Sequence, residues 1–139
     1  MEIRVGPGRR YPAHTLMEAV QRPGVTRIVL APGVHRAGGV TVPRPVTIAG
    51  EPGAELEAAV AVRGDVTLAD LTIRGTVRVS PGCTLALTGC RITAASGYAV
   101  YLAQNSRGSV YDTEILGTAE RDATVMVEPA AEFLMEGGA

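Results

Sequence analysis

The chain is written in short runs where apolar residues recur at every second position, the signature of a half-buried strand. These runs fall into three interleaved series. One starts at Ile28, Val46, Val66, Leu85, Gly108 and Phe133; a second at Ala54, Leu71, Cys90 and Thr113; a third at Val40, Val60, Val77, Val100 and Val125. Successive starts within a series lie about 17–25 residues apart, a period that places one strand of each series in every repeat. That is the arithmetic of a three-sided coil. Strands of three residues are too short to stand alone, but each gains parallel neighbours about 4.8 Å away in the turns above and below. Pairs such as Val46/Ile48, Val66/Leu68 and Leu85/Leu87 then form inward columns, and Thr47, Thr67 and Ala86 an outer ladder. Gly and Pro mark the corners at Pro43-Arg44-Pro45, Gly50, Gly64, Gly75, Pro81-Gly82, Gly89, Gly97 and Gly117. A sandwich would need longer strands joined by hairpins, and no Asn-Gly or Asp-Gly hairpin signal lies between the runs.

The predicted fold is therefore all-β: a single-stranded parallel β-helix of about five three-strand turns, in one domain over residues 1–139. The strong preference for right-handed crossovers between parallel strands makes it right-handed. Residues 1–25 hold an N-terminal strand and a short helix, and 26–139 the coils. The helix is predicted over His14–Gln21, with Thr15 as N-cap, Glu18 completing a capping box, and Leu16, Ala19 and Val20 on one face before Pro23-Gly24. Laid across the end of the coil, it would bury both the bore and the unpaired strand edges. No comparable segment follows Phe133-Leu134-Met135, so the C-terminal end is predicted to be open.

From Tyr11 to Gly50 the chain resembles the opening of right-handed parallel β-helix proteins of the pectate-lyase-like (pectin lyase fold) superfamily. The resemblance is carried by Tyr11, by Thr15-Leu16-Met17-Glu18-Ala19-Val20, by Ile28-Val29-Leu30-Ala31-Pro32-Gly33-Val34-His35, and by Pro45-Val46-Thr47-Ile48-Ala49-Gly50. Gly97-Tyr98-Ala99-Val100-Tyr101-Leu102 and Ala123-Thr124-Val125-Met126-Val127 are similar to that family's later coils. The resemblance implies the same right-handed fold. It implies no one activity, because that fold carries lyases, hydrolases, epimerases and non-enzymes.

Composition narrows the function. The 139 residues carry a net charge of −1, which gives no general attraction for polyanions and argues against nucleic acid as the ligand. No apolar stretch approaches the roughly 18–20 residues of a spanning helix, so a membrane partner is not expected. The start, Met1-Glu2-Ile3-Arg4-Val5, does not read as a signal peptide, and the expected compartment is the cytoplasm. Cys83 and Cys90 have neither zinc spacing nor a second pair, and read as reduced thiols, Cys90 replacing an inward aliphatic.

Acidic-polysaccharide enzymes on such a coil need clustered carboxylates, as a calcium site with six to eight oxygens does. Here Asp65 and Asp70 flank one strand, the next turn has no acid at those corners, and Asp112 follows a turn later. They read as turn residues accepting backbone N–H bonds. His14 and His35 have no nucleophile placed to serve either. Gly6-Pro7-Gly8-Arg9-Arg10 lacks phosphate-loop spacing and reads as a turn. No catalytic residue, metal or cofactor is assigned.

Two surfaces remain. Phe133, Leu134 and Met135 would meet a partner at the open end, giving a homodimer through a two-fold axis. Tyr98, Tyr101, Gln104, Asn105 and Arg107 form a lateral patch of aromatic, amide and guanidinium groups suited to a carbohydrate or protein ligand. The preferred reading is a non-catalytic structural and interaction module that self-associates through its C-terminal end. The alternatives are a carbohydrate-binding or carbohydrate-modifying protein using one lateral sheet, and a filament scaffold like the bactofilins. The capping helix argues against the last. On the outer surface, stacking of Arg91 on Glu114 predicts a cross-strand ion pair.

Overall fold

The computed structural model describes residues 2–6, 16–43, 45–93, 99–116 and 125–136. Its elements are β1 (Glu2–Val5), α1 (Leu16–Gln21), β2 (Arg27–Leu30), β3 (Gly33–Val42), β4 (Val46–Gly50), β5 (Ala54–Val62), β6 (Val66–Ala69), β7 (Thr72–Arg74) and β8 (Val77–Val79). The chain continues through β9 (Thr84–Thr88), β10 (Arg91–Thr93), β11 (Val100–Leu102), β12 (Arg107–Tyr111), β13 (Glu114–Leu116), β14 (Val125–Val127) and β15 (Glu132–Glu136).

Among the described residues every strand pairing is parallel, and the strands stack in the order β1-β2-β4-β6-β9-β12-β15 on the first side. The second side stacks the first half of β3, the first half of β5, β7, β10 and β13. The third stacks the second halves of β3 and β5, then β8, β11 and β14. This is a parallel β-solenoid of about four turns with one short helix near the N-terminus, slightly fewer turns than the five expected. β2 to β11 make up these turns, and β12 to β14 begin another, of which residues 117–124 lie outside the described residues.

The three series correspond to the three sides, with two refinements. On the first side Ile28 pairs with Ile48, not Val46. A slip of two residues keeps the same residues facing inward, so alternation alone cannot detect it. In the first two turns, the second and third sides are one long bent strand, β3 and then β5, with a bulge between Arg36 and Gly39. Separate short strands begin only at Gly75, between β7 and β8.

The inward positions form continuous columns. Ile3, Ile28, Ile48, Leu68, Leu87 and Val110 lie in register on the first side, each 4% exposed or less. Leu56, Ile73, Ile92 and Ile115 form the second-side column, and Val42, Val62, Val79 and Leu102 one on the third. Each column lengthens a dry core without adding an exposed apolar face, which is how short strands acquire stability.

At the N-terminal end α1 packs on β1, β2 and β3 and buries Leu16, Ala19 and Val20 in the core. The helix occupies the place that second- and third-side strands would take in the turn begun by β1. Tyr11, His14 and Thr15, with the proposed cap, lie outside the described residues, as do residues 7–10, Arg44, Gly97 and Gly117. Among the described residues no helix is long and apolar enough to cross a membrane.

The corners follow from a few residue types. Ser80–Cys83, Ala103–Ser106 and Glu128–Ala131 are stacked four-residue turns, each closed by a backbone bond of 3.1 Å. Their third residues, Gly82, Asn105 and Ala130, have φ of 76°, 61° and 66°. That geometry suits Pro at the second position and Gly or Asn at the third, and Pro81 and Pro129 supply the former. Ala130 is the misfit, an L-residue with a Cβ in the left-handed region. Ala130→Gly is expected to stabilise the fold by about 0.5–1 kcal/mol, read as a rise in unfolding midpoint at unchanged slope.

Candidate functional site

The two ends of the coil differ. On the third side Val42, Val62, Val79 and Leu102 are at most 1% exposed, whereas Val127, next in the same column, is 40% exposed. Ile115, which ends the second-side column among buried residues, is still nearly covered. β15 is the last strand of the first side, and no described strand pairs with its outer edge.

Phe133 lies in register with Gly108 and packs, half-buried, against the core. Leu134 is in register with Ser109 in the outer ladder and is 51% exposed, so it faces the flank of the first side and not the bore. Met135 is in register with Val110. Among the described residues, the end therefore presents an apolar column terminus (Val127, Phe133), an edge that no strand pairs (β15) and an apolar flank (Leu134). Val127 was not among the residues singled out from the sequence, although it closes the third series there.

Four residues of the lateral patch are described, on the third side, in the corner that follows it and on the first side. Tyr98 lies outside the described residues. Gln104 and Asn105 are the central residues of the Ala103–Ser106 turn, and Gln104 O accepts a bond from Gly82 N at 3.2 Å. Arg107 is ion-paired to Glu132 in the next turn at 3.3 Å. Tyr101 is half-buried on the third side, in register with Arg78, whose guanidinium carbon lies 5.0 Å from the ring centroid in a cation–π contact. Beside that pair is a shallow depression of about 220 Å³ lined by Arg78, Val79, Ser80, Pro81, Tyr101 and Ala103.

Asp70 and Asp112 occupy one corner column with Gly89, and all three have left-handed backbones, with φ of 54°, 47° and 61°. They are turn residues, as expected. Among the described residues no three His, Cys, Asp or Glu side chains converge as metal ligands would. His35 places Nε2 2.7 Å from Ala31 O, a bond that requires the proton on that nitrogen.

Both cysteines are free. Cys90 is buried, with Sγ donating to Leu68 O at 3.2 Å, and burial pushes its thiol above the ordinary value of 9.0. A thiol so held is a poor nucleophile. Thr113, also fully buried, accepts from Cys90 N at 3.3 Å and donates to Tyr111 O at 2.9 Å, so the polar groups of this corner are matched.

Charge is arranged by side. The expected Arg91–Glu114 pair is present at 3.1 Å. Arg36–Glu57 and Arg74–Glu55 extend it into an ion-pair lattice on the second side, and Arg27–Glu2 and Arg107–Glu132 link turns on the first. Arg4 pairs with Glu51. Compared with known proteins, the chain matches no family model, no curated protein and no solved structure.

Proposed function

We propose that this is a right-handed β-helix of the pectate-lyase-like superfamily that acts in the cytoplasm without catalysis, as an interaction module pairing with a second copy of itself through its C-terminal end. The observation that carries the reading is the contrast along one column, 0–1% exposed through four turns and 40% exposed at Val127. The N-terminal end of the same core is closed by α1. Two copies meeting at β15 about a two-fold axis would pair one edge with the other and cover both column termini at once. Head-to-tail stacking would have to displace α1 from β3, which favours a closed dimer over a fibre.

Light scattering on the full chain tests this. The wild type is expected at twice 14.4 kDa. Phe133→Asp and, as a variant that leaves the core intact, Leu134→Arg are each expected to shift the mass to that of one chain, with circular dichroism unchanged for Leu134→Arg. A wild type that stays monomeric at high micromolar concentration would sink the proposal.

A further inference from the structure

The third side breaks the charge pattern of the rest of the coil. Of the described arginines, only Arg63 and Arg78 have no glutamate or aspartate within ion-pair distance. They are neighbours. Arg78 is in register with Ala61 on the preceding turn, and Arg63 is two residues beyond Ala61 on the same outer face. Strand spacing and rise put their backbones about 8 Å apart on a diagonal.

No described strand residue of this side carries a carboxylate in β3, β5, β8 or β11 between Gly39 and Leu102. Among the described residues, the acids that flank this side in sequence are Asp65, past the corner on the way to the first side, and Glu128, whose N–H donates to Leu102 O one turn below. The other described arginines are each paired with a carboxylate, and here two exposed cations stand together.

Next to Arg78, between its own turn and the following one, the surface has chemistry as well as charge. Ser80, which carries a hydroxyl, Pro81 and the aromatic Tyr101 are among the residues that line the depression next to Arg78. Ser80 is the third-side residue that stacks on Arg63, its N–H donating to Val62 O at 2.9 Å. Arg78 lies over Tyr101, a contact through the face of the guanidinium that is compatible with its N–H groups reaching an acceptor. The volume is below that of a drug-sized pocket and suits one functional group.

We infer that Arg63, Arg78, Ser80 and Tyr101 bind a phosphomonoester group. Two guanidinium forks match a dianion in charge, and a tetrahedral group offers enough oxygens for both forks and the hydroxyl, whereas a carboxylate offers two oxygens and one charge. An aromatic ester would also place its ring beside Tyr101 and Pro81.

The probe is phenyl phosphate, titrated into the full chain at pH 7.5 and followed by amide chemical shifts. Saturable binding is expected, with shifts confined to 61–63, 78–81 and 101–103. Arg78→Gln and Arg63→Gln should each weaken it about tenfold or more, while Arg91→Gln, in the neutralised lattice of the second side, should leave it unchanged. Phenyl sulfate has the same ring and tetrahedral shape but one charge, and should bind about tenfold more weakly. Affinity for phenyl phosphate should also fall below about pH 6, where the dianion takes up a proton and becomes a monoanion. All the substituted side chains are exposed, so the variants keep the fold. Absence of saturation at tens of millimolar, an equal loss in Arg91→Gln, or equal binding of phenyl sulfate would each overturn the assignment.

Discussion

Gly75→Ala is expected to remove most of the stability of the fold. The residue sits where β7 ends and the chain turns towards β8, with φ at 149°. A Cβ built there would lie 2.0 Å from Ala58 O and 2.8 Å from Ala58 C in the turn beneath. Both are backbone atoms at the bend of β5, so no rotamer change can relieve the clash. The two turns would have to separate, although Val60 N donates to Thr76 O and Gly75 N to Thr93 O beside that point. Backbone strain and lost ladder bonds together suggest about 3–5 kcal/mol, a large share of a typical domain's stability. Urea unfolding measures it, and Gly82→Ala is the control. Gly82 also has positive φ, at 76°, but a Cβ there meets nothing within 4 Å. It should cost about 1 kcal/mol, the price of the left-handed backbone alone. Equal losses in the two variants would mean that the close approach at Gly75 does not constrain the stack.

Much of this architecture was legible because a solenoid repeats its information. The pairs Val60/Val62, Val77/Val79 and Val100/Leu102 announce the same side three times, and each repetition supports the others. Arg91 and Glu114 read as stacked neighbours, and they form one ion pair of the second side. The true register of β2 was hidden, since the inward set is the same after a slip of two. The merger of two sides in β3 and β5 was hidden for another reason. Ala58 and Ala59 carry no Gly or Pro to mark a corner, while Gly75 in the next turn does. The C-terminal end of the described coil was legible only in part. Phe133-Leu134-Met135 reads as an apolar run, but the register separates Leu134 onto the outer ladder and brings Val127 to the end. The grouping of Arg63 with Arg78 is a difference between two registers, and neither residue is distinctive alone. The capping box at Thr15 lies outside the described residues, although the helix it was meant to start is present from Leu16.

Leu68→Ala is the second large effect expected, at about 2–5 kcal/mol in the same urea experiment. Leu68 is fully buried between Ile48 in the turn below and Leu87 in the turn above, both also at 0% exposure. Truncation would leave a void in the middle of a column, where neighbours pinned by ladder bonds on two sides have little freedom to collapse into it. An outer ion pair such as Arg91–Glu114 is more than half exposed at both side chains, and its removal is expected to cost about 0–1 kcal/mol. The comparison separates two accounts of how the turns adhere, through inward columns or through the charged lattice that decorates them. Position along the axis adds a second test. Ile73→Val, mid-column at 0% exposure, and Ile115→Val, at 8% near the open end, remove the same methylene. In a stack stabilised by nearest neighbours the terminal turn frays first, so the Ile115 variant should fall at the lower end of the usual range of about 0.5–1.5 kcal/mol. If the proposed dimer forms, raising the protein concentration should bring the two costs together, because a second copy would turn that end into interior.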